Sequence, residues 1–227
     1  MDEFVYERIV APCGIAIEEI YGAEEKTAKV WKLFAMQIFS EANGDYREIM
    51  HLDNGAPVLD GIAQRISISH TSHFLAVASI PKTPDINTED FNMRTAIGVD
   101  IEKADRSQVI KIREKFLTQD EMSLLPAVND DPEEMTQEMI SSFILAWTCK
   151  EAMYKAAMGE AKDWRNDYRI LSLPKIASNI AEATPEKYGK GTIYIKGAAI
   201  ELHLSAWQTE GHILTLAFSS KIARYDH

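Results

Sequence analysis

The chain has 227 residues, enough for one large domain or two halves with a substantial core, and no run of about 18 apolar residues that predicts a membrane span. Its 24 Lys and Arg against 35 Asp and Glu give a formal charge of −11, which disfavours nucleic-acid binding and requires any anion site to be built locally from a metal and a few cations. Two cysteines, Cys13 and Cys149, read as packing thiols in a reducing cytoplasm, and the Met1-Asp2-Glu3 start lacks the basic and apolar segments of a secretory signal.

In chain order, Ala28, Trp31, Phe34 or Ala35, and Ile38 recur at helical spacing and predict a helix over 24–39. Asn54-Gly55-Ala56-Pro57 is a turn signal. Two short strands follow, 65–69 and 74–80, joined by His70-Thr71-Ser72-His73. A loop over 81–94 leads to a third strand, 97–102. Ser107 is placed to cap a helix in which Val109, Ile112 and Phe116 share a face. Asp131 as cap and Pro132 at the first helical position open a long helix that runs to Met158, with Gly159 past its end. Strands 192–196, 200–207 and 213–219 close the chain, with turns at Gly197-Ala198 and Glu210-Gly211.

Each half thus passes from helix into a three-strand meander. His73-Phe74-Leu75-Ala76-Val77-Ala78 also resembles His212-Ile213-Leu214-Thr215-Leu216-Ala217. The expected fold is α+β: two similar halves, 1–105 and 106–227, related by a pseudo-twofold, each with helices packed on a small antiparallel three-stranded sheet. The site is expected in the cleft between them.

Three groups of residues carry chemistry. Ile97, Val99 and Ile101 alternate with Gly98, Asp100 and Glu102, the period of a half-buried strand, so both acids leave one face roughly 7 Å apart at the backbone. Their carboxylates suit one Mg²⁺, which takes oxygen ligands and keeps waters for phosphates to displace; ordinary surface acids are the alternative. On the long helix, Trp147, Lys150, Glu151, Tyr154 and Lys155 share a face at spacings of three, four, seven and eight. Glu151 and Lys155 also make a routine i,i+4 pair, worth only a few tenths of a kcal/mol, about what any surface helix shows. A metal-bound diphosphate would give such a polar face partners. Last, Ser69, Thr71 and Ser72 with the turn amides form a candidate phosphate cradle, with His70 as a further donor.

The order Asn54-Gly55-x-Pro57, Ser67-Ile68-Ser69-His70, Gly98-Val99-Asp100-Ile101-Glu102, then Trp147-x-x-Lys150-Glu151-Ala152-x-x-Lys155 resembles the 4′-phosphopantetheinyl transferases of the larger, pseudo-dimeric type. The resemblance spans about 54 to 159, and its last two motifs are the specific ones. It implies transfer of the 4′-phosphopantetheine arm from coenzyme A to a serine of an acyl or peptidyl carrier protein, releasing adenosine 3′,5′-bisphosphate. By the same resemblance, Asp100, Glu102 and Glu151 would hold Mg²⁺. Ser69, His70 and Lys150 would contact coenzyme A, and Lys155 would steady the diphosphate or the incoming hydroxyl. Glu151, directly or through a bound water, would accept the serine proton. The expected setting is a cytoplasmic monomer.

Two positions depart from the family's pattern. Ala56 stands where a lysine is common, and Met36 and Gln37 stand where an arginine helps hold the 3′-phosphate. These departures keep open a noncatalytic relative that binds coenzyme A or a carrier. The acids alone also allow a metal-dependent phosphohydrolase. Lys111 and Lys115, near Arg106 and Arg113, form the one evident basic patch for an acidic carrier; a solvated helix face explains them equally well.

Overall fold

The computed structural model describes residues 14–19, 48–53, 55–59, 66–71, 74–79, 96–128, 135–179 and 182–219. The expected helix over 24–39, the loop over 81–94, Cys13, Met36, Gln37, Ser72, Asp131 and Pro132 lie outside the described residues. In chain order the strands are β1 (Gly14–Glu19), β2 (Ile49–His51), β3 (Pro57–Leu59), β4 (Ile66–His70), β5 (Phe74–Ser79) and β6 (Ile97–Lys103). Helices α1 (Gln108–Lys111), α2 (Arg113–Phe116), α3 (Gln119–Met122) and α4 (Gln137–Ala156) follow. The chain then forms β7 (Tyr168–Ser172), β8 (Ile176–Ala177), β9 (Gly189–Ile195), β10 (Ala198–Thr209) and β11 (His212–Ser219). No helix among them is long and apolar enough to cross a membrane.

The architecture is α+β. An antiparallel three-stranded sheet, β1-β5-β4, stands beside a six-stranded one ordered β6-β11-β10-β9-β7, in which β8 pairs with β10; β2 and β3 form a separate hairpin. The second sheet is larger than the expected three strands because three more join it. Tyr168–Ser172 and Ile176–Ala177, not foreseen as strands, pair with β9 and β10, and β6 pairs along its whole length with β11. The strand bearing Asp100 and Glu102 therefore belongs to the sheet of the C-terminal strands. Turns at Lys196–Gly197 and Glu210–Gly211 have positive φ at both residues, the twist that suits two-residue hairpins.

Helix α4 lies on one face of the large sheet. Ile140, Phe143, Ile144, Cys149, Ala152, Met153 and Ala156 pack there with Ile193, Leu204 and Ala217. The other face is covered by β5, where Phe74, Ala76 and Ala78 meet Val99, Ile101, Leu214 and Leu216. With both faces covered and strands on both sides, β11 is buried at every position. The same sandwiching corrects the half-buried expectation for β6, since Ile97 to Ile101 are all buried and Gly98 and Asp100 face the helix rather than water.

Two helical expectations are also corrected. The helix expected after Ser107 is two single turns, because Ile112 takes φ −107° and ψ 7° and interrupts it; the Ser107 side chain makes no capping bond. The long helix is described from Gln137, with Thr136 accepting a hydrogen bond from the Met139 amide. It ends at Ala156, two residues before the expected Met158, and Met158 and Gly159 beyond it both lie in the left-handed region, at φ +53° and +69°.

Candidate active site

Ser67 and Ser69 alternate with Ile66 and Ile68 on β4, so their hydroxyls leave the strand on one side. That side faces the edge of β6 opposite β11. The Val99 amide donates to Ser67 Oγ at 2.9 Å and the Ile101 amide to Ser69 Oγ at 3.3 Å, so two side chains of β4 satisfy backbone amides along this edge. The Ser69 hydroxyl in turn donates to Asp100 Oδ1 at 2.7 Å. Ser69 is buried with its hydrogen bonds committed to β6, and Thr71 Oγ1 accepts from the Phe74 amide. The Ser69 hydroxyl, expected in a phosphate cradle, is thus bonded to Asp100 and to the β6 backbone.

Asp100 is 4 % exposed, and its Oδ1 also accepts from Lys155 Nζ, 2.7 Å away across the β6–α4 interface. Among the described residues, its Oδ2 is buried with no hydrogen-bond partner. Glu151 is half-buried on the adjoining part of α4. Burial, then the charge of Asp100, push its carboxyl up to about 7 from 4.5; Lys155 opposes this and Glu102 adds to it. Glu102 lies at the rim in an ion pair with Arg106, 2.6 Å apart. His70, at the end of β4, is held below the usual imidazole range by desolvation, with Lys155 adding to that effect, while a Thr71 backbone bond and Asp100 oppose it. Asp100, Glu102, Glu151, Lys155 and His70 therefore share one electrostatic neighbourhood.

Lys150 does not join them, which corrects its expected place on a phosphate-facing side of the helix. Its ammonium is fully buried beside Glu121 Oε1 at 2.7 Å and donates to the Tyr168 and Arg165 carbonyls. Burial pushes this ammonium down and the Glu121 charge opposes the shift. Trp147 and Tyr154 also serve packing, in a ring cluster with Phe116, Trp164 and Tyr168. Glu121 was not singled out from the sequence, although Thr118-Gln119-Asp120-Glu121 carries the Ser/Thr-x-x-Glu signature of a capping box, and the structure forms one. Cys149 is fully buried with its thiol pushed up to about 12 by desolvation, consistent with a packing thiol. Native protein treated with iodoacetamide at pH 8 is expected to leave Cys149 unmodified; rapid alkylation, read by peptide mass, would contradict that burial.

Among the described residues, no three His, Cys, Asp or Glu side chains stand close enough together to hold an ion as they are. The Lys155 ammonium supplies positive charge at Asp100 instead. Two observations nonetheless fit the acids to a hard divalent cation: the buried, unpartnered Oδ2 of Asp100, and the electrostatic cost of ionising Glu151 beside two other carboxylates. Next to them is a cavity of about 210 Å³. It is walled by the Gly55–Pro57 turn, by Ile66 to Ile68, and by Tyr154, Met158 and Gly159, with Lys155 on its lining. A largely apolar slot with the Lys155 ammonium on its lining suits a ligand with a flat or apolar end and a charged phosphate end.

The family model described as the 4′-phosphopantetheinyl transferase superfamily matches residues 96–217, which runs from β6 through α4 to β11 and covers more than half of the chain. No curated protein matches the chain.

Proposed function

We propose, from the premise that the chain belongs to the 4′-phosphopantetheinyl transferase superfamily, that it moves the 4′-phosphopantetheine arm of coenzyme A onto a serine of an acyl or peptidyl carrier protein and releases adenosine 3′,5′-bisphosphate. The observation that carries this is Asp100, buried on the helix side of β6 with one oxygen on Lys155 and the other unpartnered. We take the two sheets as two halves of the pseudo-dimeric type, with the site along β6 where they meet.

Asp100, Glu102 and Glu151 would hold Mg²⁺, which when bound neutralises the diphosphate and favours departure of the bisphosphate. Glu102, now paired with Arg106, would have to leave that partner to take part. The base of coenzyme A occupies the cavity beside Pro57 and Ile68, which brings the diphosphate to Lys155. The Lys155 ammonium then donates to a phosphate oxygen, offsetting charge that grows on the leaving group. Neutral His70 stands at the same rim as a further donor. The serine oxygen attacks the phosphorus bonded to the pantetheine arm, and the bond to the bridging diphosphate oxygen breaks. Glu151, directly or through a bound water, takes the serine proton. Positioning and charge supply most of the rate, because a neutral alcohol must approach an anion.

The test is incubation with coenzyme A, Mg²⁺ and a panel of apo carrier proteins. Success is a phosphopantetheine mass increment on a carrier with an equal amount of bisphosphate. Coenzyme A binding without bisphosphate across the panel would identify the noncatalytic relative, and bisphosphate without any carrier would identify a hydrolase. Ser69→Ala is expected to slow transfer about tenfold with coenzyme A affinity unchanged, since it loosens Asp100 without removing a ligand contact. Calorimetry showing weakened coenzyme A binding in this variant would return Ser69 to the phosphate cradle.

A further inference from the structure

We propose, resting on the transfer reading above, that the buried Glu121–Lys150 ion pair is a positioning element that sets the rotation of α4 so that Glu151 faces Asp100, and that Lys150 touches neither coenzyme A nor the carrier.

The pair is fully engaged on both sides. Lys150 Nζ has three protons and three acceptors: Glu121 Oε1 at 2.7 Å, the Arg165 carbonyl at 3.3 Å, and the Tyr168 carbonyl. Glu121 Oε1 also accepts from the Ile170 amide at 2.7 Å. Glu121 Oε2 accepts from the Thr118 amide at 2.8 Å and the Thr118 hydroxyl at 3.0 Å. One side chain of α4 is thereby tied to α3, to β7 and to the turn before β7.

Such a tie has a task that apolar packing leaves undone. Helix α4 is buried nearly all round, with Ala146, Met153 and Ala157 on the Lys150 side and Thr148, Ala152 and Ala156 on the β6 side. A helix without an apolar stripe has little hydrophobic preference for one rotation about its axis. Turning it would drag the Lys150 ammonium from its three acceptors into apolar surroundings, a large penalty for a small angle. Glu151 is the next residue in the chain, so the rotation that satisfies Lys150 also sets where Glu151 points. Buried ionic groups that define register are a known use of such pairs.

The experiment compares wild type, Lys150→Met, Glu121→Gln and the double variant by melting temperature, coenzyme A calorimetry and steady-state transfer kinetics. Each single change leaves a buried group unpaired and is expected to lower the melting temperature. The double change removes both charges and is expected to melt near wild type. Positioning predicts that the double variant still shows kcat at least tenfold down, with coenzyme A Kd weakened by less than kcat, since Lys155 on the same helix carries part of the rotation to the ligand. Recovery of kcat together with melting temperature overturns the proposal and leaves the pair merely structural. A tenfold weaker Kd with kcat near wild type also overturns it, by making Lys150 a ligand contact. A wild-type protein that transfers nothing to any carrier overturns the transfer reading and this inference together, whereas an active wild type with unaffected variants overturns this inference alone.

Discussion

Glu151→Gln protein is expected to melt higher than wild type at pH 8 in the presence of a chelator, while losing transfer at least about a thousandfold. Both effects have one cause. In the folded protein the Glu151 carboxyl titrates near 7 rather than 4.5, because it is partly buried and lies near Asp100 and Glu102. The folded state therefore holds more protons than the unfolded state between those two values, and this group's contribution to stability falls as pH rises through that window. Above it, the cost of keeping Glu151 ionised is on the order of 3 kcal/mol, which a neutral glutamine of the same shape does not incur. Melting curves in chelator from pH 5 to 8 should thus fall more steeply for wild type than for the variant. Mg²⁺ added at pH 8 should raise the wild-type melting temperature and move the variant less, a readout independent of turnover. If glutamine lowers the melting temperature at pH 8, Glu151 is well accommodated as an anion and the crowding of three acids is refuted.

The parts of the site legible in the sequence were those that depend on period alone. Alternation in Gly98-Val99-Asp100-Ile101-Glu102 placed the two acids on one side of a strand, and that pattern holds in β6. Alternation does not reveal what covers a face, so the half-buried expectation missed α4 lying over Asp100. Helical spacing put Lys150 and Lys155 on one broad face, yet five residues turn a helix about 140° beyond a full circle. They stand at opposite margins of that arc, and the fold sends one to Glu121 and the other to Asp100. Ser69 shows the same limit. Its side was readable, but the edge of β6 that claims its hydroxyl is a long-range fact. The break at Ile112 had no local signal either, since no proline or glycine marks it.

Gly98→Ala is expected to be the most damaging small change in the motif. A Cβ at Gly98 would lie 1.9 Å from the Ala152 carbonyl oxygen and 2.5 Å from the Ala156 nitrogen, both in the backbone of α4. Overpacking a core ordinarily costs about 1–3 kcal/mol, because neighbouring side chains can adjust. Here no rotamer relieves the contact, so the helix itself must move away from β6. We expect a loss of about 4 kcal/mol and a melting temperature lower by on the order of 10 °C. The same displacement separates Glu151 and Lys155 from Asp100, and a misplacement of about 1 Å is enough to cost on the order of a hundredfold in kcat. Gly191→Ala is the matched control. Its added Cβ would meet Met153 Cε and Sδ at 2.9 Å, the flexible end of a side chain on α4 that can swing aside. It should cost less than about 1.5 kcal/mol and leave kcat within a few-fold of wild type. Should the two alanines prove equally harmful to kcat, or Gly98→Ala prove silent, the close approach of α4 to β6 is not what brings the acids together.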